Sequence, residues 1–303
     1  MEFKALRAFV EVVRQGGFSQ AAKTTFITQS AVSKAVKQLE QELKTPLLER
    51  AGYTIVPTAA GEVVYRRGAK LLADRDDLLT ELDDISSLEQ GVLRLGLAPV
   101  ASGPLFAPLF AIYRKRYPGI EIKLFEHGSA ELEDGLREGR LDFAGVLMPS
   151  SSEFEWEPIR REPLVAVLSA NHPMSGKGAL SLTDLKDTPF ILFDHGFALH
   201  RIILDASHLA GFEPNIVACS SQTDFMIELV AAGLGVTFLP RIIADNTHKP
   251  GICRIPLDEP TCDWLMTMAW RRGGYLSVAA NAWLDLVREF GNLASAPEFR
   301  NFV

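Results

Sequence analysis

FSQAAKTTFITQSAVSKAVKQLEQELKTPLLER, residues 18–50, gathers two adjacent alanines, a Thr-Gln-Ser step and evenly spaced lysines into one short stretch. Within it Ala31, Val32, Ala35, Val36, Leu39 and Leu43 follow the i, i+3/i+4, i+7 spacing of an amphipathic helix, which predicts a helix from Gln29 to about Leu43. Thr28 is placed to cap it. The opposite face is polar, with Gln29, Ser30 and Ser33 followed by Lys34 and Lys37. That order suits a recognition helix, whose N-terminal side chains meet base edges in the major groove while its cations contact phosphates. A lysine row alone is more often a solvated face, so the neighbouring segments decide.

Phe3, Leu6, Phe9, Val10 and Val13 recur at helical spacing, which predicts a first helix over residues 3–15 closed by Gly16 and Gly17. Ser19 is expected to cap a short second helix ending near Phe26, in which Ala21 and Ala22 permit close approach to a neighbour. Ile27 is expected to enter the core at the turn. A helix–turn–helix pair with small residues at the crossing is a DNA-binding motif. After the third helix, Leu47 to Thr58 reads as a hairpin wing, with Arg50 ahead of the turn-prone Ala51-Gly52.

The order Phe18-Ser19-x-Ala21-Ala22, Thr28-Gln29-Ser30-Ala31-Val32-Ser33-Lys34, Leu39-Glu40, Glu42-Leu43, Leu47-Leu48-Glu49-Arg50, Pro57-Thr58 and Gly61 resembles the winged helix-turn-helix of LysR-type transcriptional regulators, without gaps. The resemblance implies sequence-specific binding to double-stranded DNA through Gln29, Ser30, Ser33, Lys34, Lys37 and Arg50. Thr25, Lys34 and Lys44 depart from the family's usual leucine, arginine and glycine. Lys34 lacks arginine's bidentate fork, which makes its contact phosphate-like.

Charge agrees with a basic module on an acidic body. Net charge is -7 overall, yet residues 1–60 carry eight Lys/Arg against five Asp/Glu. At 303 residues and 47% hydrophobic, the chain divides into two or three domains. Charges at Glu2, Lys4, Arg7, Glu11 and Arg14 interrupt any signal-type apolar run, and no window reads as a membrane span, which leads us to expect a cytoplasmic protein with no membrane partner. Cys219, Cys253 and Cys262 show no metal or redox spacing, and His172, His195, His200, His208 and His248 are dispersed and read as surface or loop histidines rather than metal ligands. No metal or cofactor is expected.

From Thr58 to about Leu88 helix formers dominate, and Leu71, Leu78 and Ile85 repeat every seven residues, with Leu82 widening the stripe. Heptad spacing implies a partner helix, hence a homodimer and a dyad-symmetric promoter site. The family resemblance implies further assembly to a homotetramer and makes RNA polymerase a candidate partner.

Beyond residue 89 strands and helices alternate, which predicts an α/β body with parallel pairing. Two runs appear, so the expected division is residues 1–58 winged helix-turn-helix, 59–89 dimerisation helix and 90–303 a two-lobed body. Lobe I spans about 90–160 with 266–303, and lobe II spans about 161–265. This resembles the periplasmic-binding-protein-like (type 2) effector domain of the same family. Ligands in open α/β sheets sit beyond the carboxyl ends of strands. The candidates are Pro99, Val100, Ala101 and Ser102, then Gly128, Ser129, Leu147 and Met148 in lobe I, with His195, Gly196, Phe197, Gln222 and Thr223 in lobe II. Ser102, Ser129 and Thr223 stand near helix N-termini, which favour a carboxylate, while Phe197 and Val100 would cover its carbon skeleton. An enzyme on the same body is the alternative, but GxSxG, GxGxxG and phosphate-loop patterns are missing from the chain. A metabolite-binding module without DNA binding is the other.

Overall fold

The computed structural model describes residues 1–51, 54–86, 91–100, 102–149, 151–262 and 264–294. They form two compact units, one of residues 1–86 with 137–140 and the other of the remainder.

The first unit begins with α1 (Phe3–Arg14), α2 (Phe18–Thr25) and α3 (Gln29–Leu43), followed by the hairpin β1 (Leu48–Ala51) and β2 (Thr54–Pro57) and by α4 (Ala59–Ser86). Leu6, Phe9, Val10 and Val12 of α1 pack with Ala21 of α2 and with Val32, Val36 and Leu39 of α3 in one core. Each such buried leucine or phenylalanine contributes about 1.5–3 kcal/mol relative to exposure. Thr28 caps α3 as expected, its hydroxyl accepting from Ala31 N–H at 3.2 Å. Glu40 performs a task invisible in the pattern: its carboxylate accepts the Leu47 and Leu48 amides at 2.8 and 3.3 Å and fixes the entry to the wing. Thr58 donates to Pro46 O at 2.9 Å and accepts from Gly61 N–H at 3.0 Å. The chain passes so closely that a Cβ on Gly61 would lie 2.0 Å from the Leu47 carbonyl oxygen.

Three local expectations fail. Helix α2 starts at Phe18 with Gly17 as its N-cap, so Ser19 lies inside the first turn; half-buried Phe18 packs on the core and sets the start. Ile27 is 45% exposed, because Phe26 adopts a left-handed φ of 56° and turns the following residue outward. On α3 the buried stripe is narrower than the pattern, with Ala31 and Leu43 exposed. Phe26 and Lys44 are the two non-glycine residues with positive φ among those described, and a left-handed backbone costs an L-residue about 1–2 kcal/mol.

Along α4, Ala69, Leu72 and Ala73 are buried while Leu71, Leu78, Leu79 and Leu82 are exposed. The helix packs on α1, and Arg7 donates twice to the Asp76 carboxylate at 2.9 and 3.1 Å.

The second unit opens with β3 (Gly91–Leu97), α5 (Ser102–Arg116), β4 (Ile120–Glu126), α6 (Ser129–Arg137), β5 (Phe143–Leu147) and β6 (Phe154–Glu162). It continues with β7 (Leu164–Ser169), a 3-10 turn at Thr183–Leu185, β8 (Phe190–Phe193), α7 (Ala198–Leu209), β9 (Ile216–Ser220) and α8 (Thr223–Ala231). Then come β10 (Thr237–Pro240), α9 (Arg241–Asn246), β11 (Ile252–Pro256), β12 (Trp264–Arg271) and α10 (Val278–Ala294). Lobe I is a sheet in the order β4-β3-β5-β12-β6, in which β3 runs parallel to β4 and β5 while β12 is antiparallel to both its neighbours. Strand β12 therefore returns to complete the first lobe. Lobe II pairs β8 with β9 in parallel and sets β7 between β10 and β11 in antiparallel fashion. Lobe I is thus a mixed sheet, and lobe II combines a parallel pair with an antiparallel sheet, since the crossover segments β6, β7 and β11 return beside strands running the other way. One hydrophobic core runs through both lobes, from Leu95 and Trp283 to Leu168 and Phe238.

Candidate DNA-binding face and inter-lobe site

Helix α3 turns Gln29, Ser30, Ser33, Lys34 and Lys37 to solvent together. Among the described residues neither lysine makes an ion pair. A groove of about 670 Å³ lies alongside, with Gln29, Ser33 and Lys37 on one wall, Gly17 and Ser19 on another, and Ile55 of the wing closing it. Ser30 differs from its neighbours: its Oγ is 3.0 Å from Thr28 Oγ1, so the hydroxyl is shared with the helix cap. Arg50 sits on β1 opposite Ile55; its side chain lies outside the described residues. This surface presents hydrogen-bonding groups first and unpaired cations next, the order that reading a base edge between two phosphate rows requires.

In lobe I, the register that sets Leu97 beside Glu126 and Gly145 brings the segments after β3, β4 and β5 to one end of the sheet. Pro99 and Met148 are exposed there, whereas Val100, Ser129 and Leu147 are buried. Ser129, Ser102 and Thr223 are the first residues of α6, α5 and α8. Ala101 and the side chain of Ser102 lie outside the described residues, as does that of Ile85 on α4. In lobe II, pairing of Phe193 with Ser220 puts the His195–Phe197 loop and Gln222–Thr223 at one end.

The two ends meet. Ala130 N–H of α6 donates to Gly196 O at 3.4 Å, and a Cβ on Gly128 would lie 2.5 Å from that same oxygen. Gly196 stands in the expected loop after β8, and it is its backbone carbonyl that makes the contact. Beside it, exposed His195 Nδ1 lies 3.1 Å from Nε2 of His200, whose Nδ1 is 2.6 Å from Phe193 O. The carbonyl can only accept, so His200 carries a proton on Nδ1 and its Nε2 faces His195. His200 is 4% exposed, so it is a buried brace for His195 rather than the surface histidine its sequence context suggested. Phe197 is also displaced from its expected role: it stacks on Phe193 at 5.5 Å and is largely buried in lobe II, as Val100 is in lobe I. Their apolar packing against the core leaves little of either ring or chain to cover a ligand.

The cysteines are free, and burial raises the thiol pKa of all three, that of Cys262 to about 12; Asp194 adds to the rise at Cys219. Thiolate chemistry requires the opposite shift. Among the described residues no cluster of three or more His, Cys, Asp or Glu could hold a metal ion, and no helix is long and apolar enough to cross a membrane.

A winged helix with a polar, cationic recognition face and a two-lobed α/β body define the class: a DNA-binding protein that carries a ligand-binding domain. Residues 3–62 match the bacterial regulatory helix-turn-helix protein, lysR family, and residues 86–292 match the LysR substrate binding domain. The chain belongs to the LysR family of DNA-binding transcriptional regulators. It is 33% identical to the HTH-type transcriptional regulator YwbI of Bacillus subtilis (strain 168), over 96% of this chain and 97% of that one. It is 32% identical to the HTH-type transcriptional regulator BudR of Raoultella terrigena, over 90% and 95% respectively. Among solved structures, a full-length OxyR variant from Pseudomonas aeruginosa superposes with a TM-score of 0.68 at 25% identity, covering 97% of this chain and 96% of that one.

Proposed function

We propose that this regulator answers to a small carboxylate held between its two lobes, and that binding changes how a symmetric oligomer engages a dyad-symmetric promoter site in the cytoplasm. The observation that carries the reading is the junction at Gly128 and Gly196, where the N-terminal amides of α6 face the His195–Phe197 loop of the other lobe. The helix dipole and the amides of that first turn favour a negative charge there, Ala130 N–H once Gly196 O gives it up. Ser129 and Thr223 add hydroxyl donors and Gln222 an amide donor, while His195 lies beside them and Pro99 and Met148 supply exposed apolar surface. A ligand acts on the protein only through unequal affinity for two arrangements, and a junction made by one long hydrogen bond is an arrangement that a carboxylate can replace.

The exposed leucines of α4, Leu71, Leu78 and Leu82, form the surface of a homodimer, in line with the oligomers typical of the family; a homotetramer and contact with RNA polymerase are further steps of the same proposal. DNA reading falls to Gln29, Ser33, Lys34 and Lys37, with Ser30 bracing the cap and Arg50 on the wing. The raised thiols speak against cysteine oxidation as the signal. The test has two arms. Selection of bound fragments from sheared genomic DNA at two salt concentrations should enrich one dyad-symmetric promoter region. A thermal-shift panel of small carboxylates and their neutral amides should then stabilise the full chain with the acids only, and lose the effect in Ser129→Ala; equal stabilisation by the amides would refute an anion site.

A further inference from the structure

The turn between α2 and α3 holds a side chain that the free protein has no use for. Phe26 closes α2: its own N–H reaches Lys23 O at 3.4 Å, the next amide, of Ile27, reaches Ala22 O at 3.2 Å, and its backbone stands at φ 56° and ψ 35°. Glycine or asparagine suits that slot, because the left-handed conformation crowds a Cβ. The ring meanwhile is 93% exposed, so burial returns nothing for the strain. Lys44 makes the comparison. It closes α3 with the same pair of hydrogen bonds, to Gln41 O and Glu40 O, in the same left-handed conformation, yet water solvates its ammonium. Among the described residues Phe26 alone combines the backbone strain with an exposed aromatic ring, and a strained backbone at an exposed position is a pointer to function.

The position of the ring suggests what that function is. Phe26 lies two residues ahead of Thr28, the cap of the recognition helix, and three ahead of Gln29, so it stands within about 7 Å of chain from that cap and within about three base pairs of whatever Gln29 contacts. Exposed Ile27 extends the apolar surface, and exposed Lys23 and Thr24 flank it on the α2 side. An apolar patch with a cation at its rim matches one feature of a duplex: a methyl or sugar face in the groove wall with a phosphate beside it. We propose that Phe26 is a DNA-contacting residue, its ring resting on an apolar face of the duplex next to the bases reached by the first turn of α3. That face is either a thymine C5-methyl group in the major groove or a deoxyribose of the bordering strand; both offer C–H surface to an aromatic ring.

The experiment uses the full chain and the duplex that the wild-type protein recovers from a random-sequence pool. Fluorescence anisotropy measures affinity for Phe26→Asn, Phe26→Leu and Lys44→Asn, and thermal unfolding follows each variant. Phe26→Asn should raise the unfolding midpoint, because asparagine accepts the left-handed backbone, and at the same time weaken DNA binding roughly ten-fold, the scale of one lost base-edge contact. Phe26→Leu should keep most of the affinity, which separates an apolar contact from a mere change in turn rigidity. Lys44→Asn should raise the midpoint without this loss. Uracil in place of thymine then distinguishes the two faces. A loss with wild type that Phe26→Asn does not show identifies the methyl group, and no loss identifies the sugar. Unchanged affinity of Phe26→Asn overturns the proposal, and so does a transcriptional defect with intact DNA binding, which would mean that the ring serves a protein partner instead.

Discussion

Leu78 on α4 is 56% exposed within its own chain. Truncation to alanine removes three carbon groups, worth ~2.4 kcal/mol if the whole side chain passed from water into an apolar contact. A little over half of that surface is still available to a partner, so Leu78→Ala withdraws ~1.3 kcal/mol from a dimer interface on each helix. A twofold axis counts the loss twice, giving ~2.6 kcal/mol and roughly an 80-fold rise in the dimer dissociation constant. Sedimentation velocity on a dilution series of the full chain reads that change directly. The comparison is Leu72→Ala: Leu72 is 6% exposed and packs inside the first unit, so its loss should lower the unfolding midpoint at a dissociation constant close to wild type. The reasoning fails if Leu78→Ala and Leu82→Ala both leave the dissociation constant within about twofold of wild type, because that scale of loss is unavoidable once the stripe is buried.

Three further outcomes follow from close contacts and burial. Gly61→Ala lies within α4, where alanine ordinarily adds about 1 kcal/mol of helix stability; here the new Cβ would fall 2.0 Å from the Leu47 carbonyl oxygen, so denaturant unfolding should show a loss, and a gain would mean that the wing yields freely. Gly128→Ala should push Gly196 away and speed hydrogen exchange at the Ala130 amide, and unchanged protection would show that the contact between the lobes is not close in solution. Burial raises the Cys262 thiol to about 12, so the stability it lends is complete below its unfolded value of about 8.5 and is lost as pH rises toward 12. Thiol labelling at pH 8 should therefore modify exposed Cys219 in the native protein and Cys262 only on unfolding; rapid native labelling of Cys262 would contradict its burial.

The elements themselves were legible because each is a periodic segment between punctuation residues. Helix α3, its Thr28 cap, the wing and α4 all fall where spacing puts them, and β12 returns to lobe I as the pattern after residue 265 suggests. What sequence could not show was which side of a turn meets a neighbour. Ile27 is apolar and follows an apolar residue, yet the left-handed step at Phe26 sends it outward. Strands β6 and β11 escaped notice because their alternation includes charges, as in FEWEPIRRE, and each is identified only by the strand it lies against. At the candidate site the strand ends could be found by topology, but the meeting of Gly128 with Gly196 and the bracing of His195 by His200 depend on backbone carbonyls that no residue type advertises.

The two surfaces of this regulator rest on different electrostatics, and that difference permits a separate test of each. Among the described residues Lys34 and Lys37 make no ion pair on α3, so DNA binding releases counterions and its affinity falls with salt in proportion to the phosphates met, at a slope of about -0.9 for each. Between the lobes the described donors are peptide amides and hydroxyls, fixed dipoles with little long-range field for salt to screen. Lys37→Ala should therefore reduce the salt slope of DNA binding by about one and weaken every sequence alike, while effector affinity stays as it was. Ser33→Ala should leave the slope intact and relax the preference among sequences, because its hydroxyl carries no charge and stands on the groove-lining face of α3. Should both variants lose affinity equally on all sequences with the same slope, the recognition helix does not divide its work in this way, and Ser33 positions the backbone rather than reading a base.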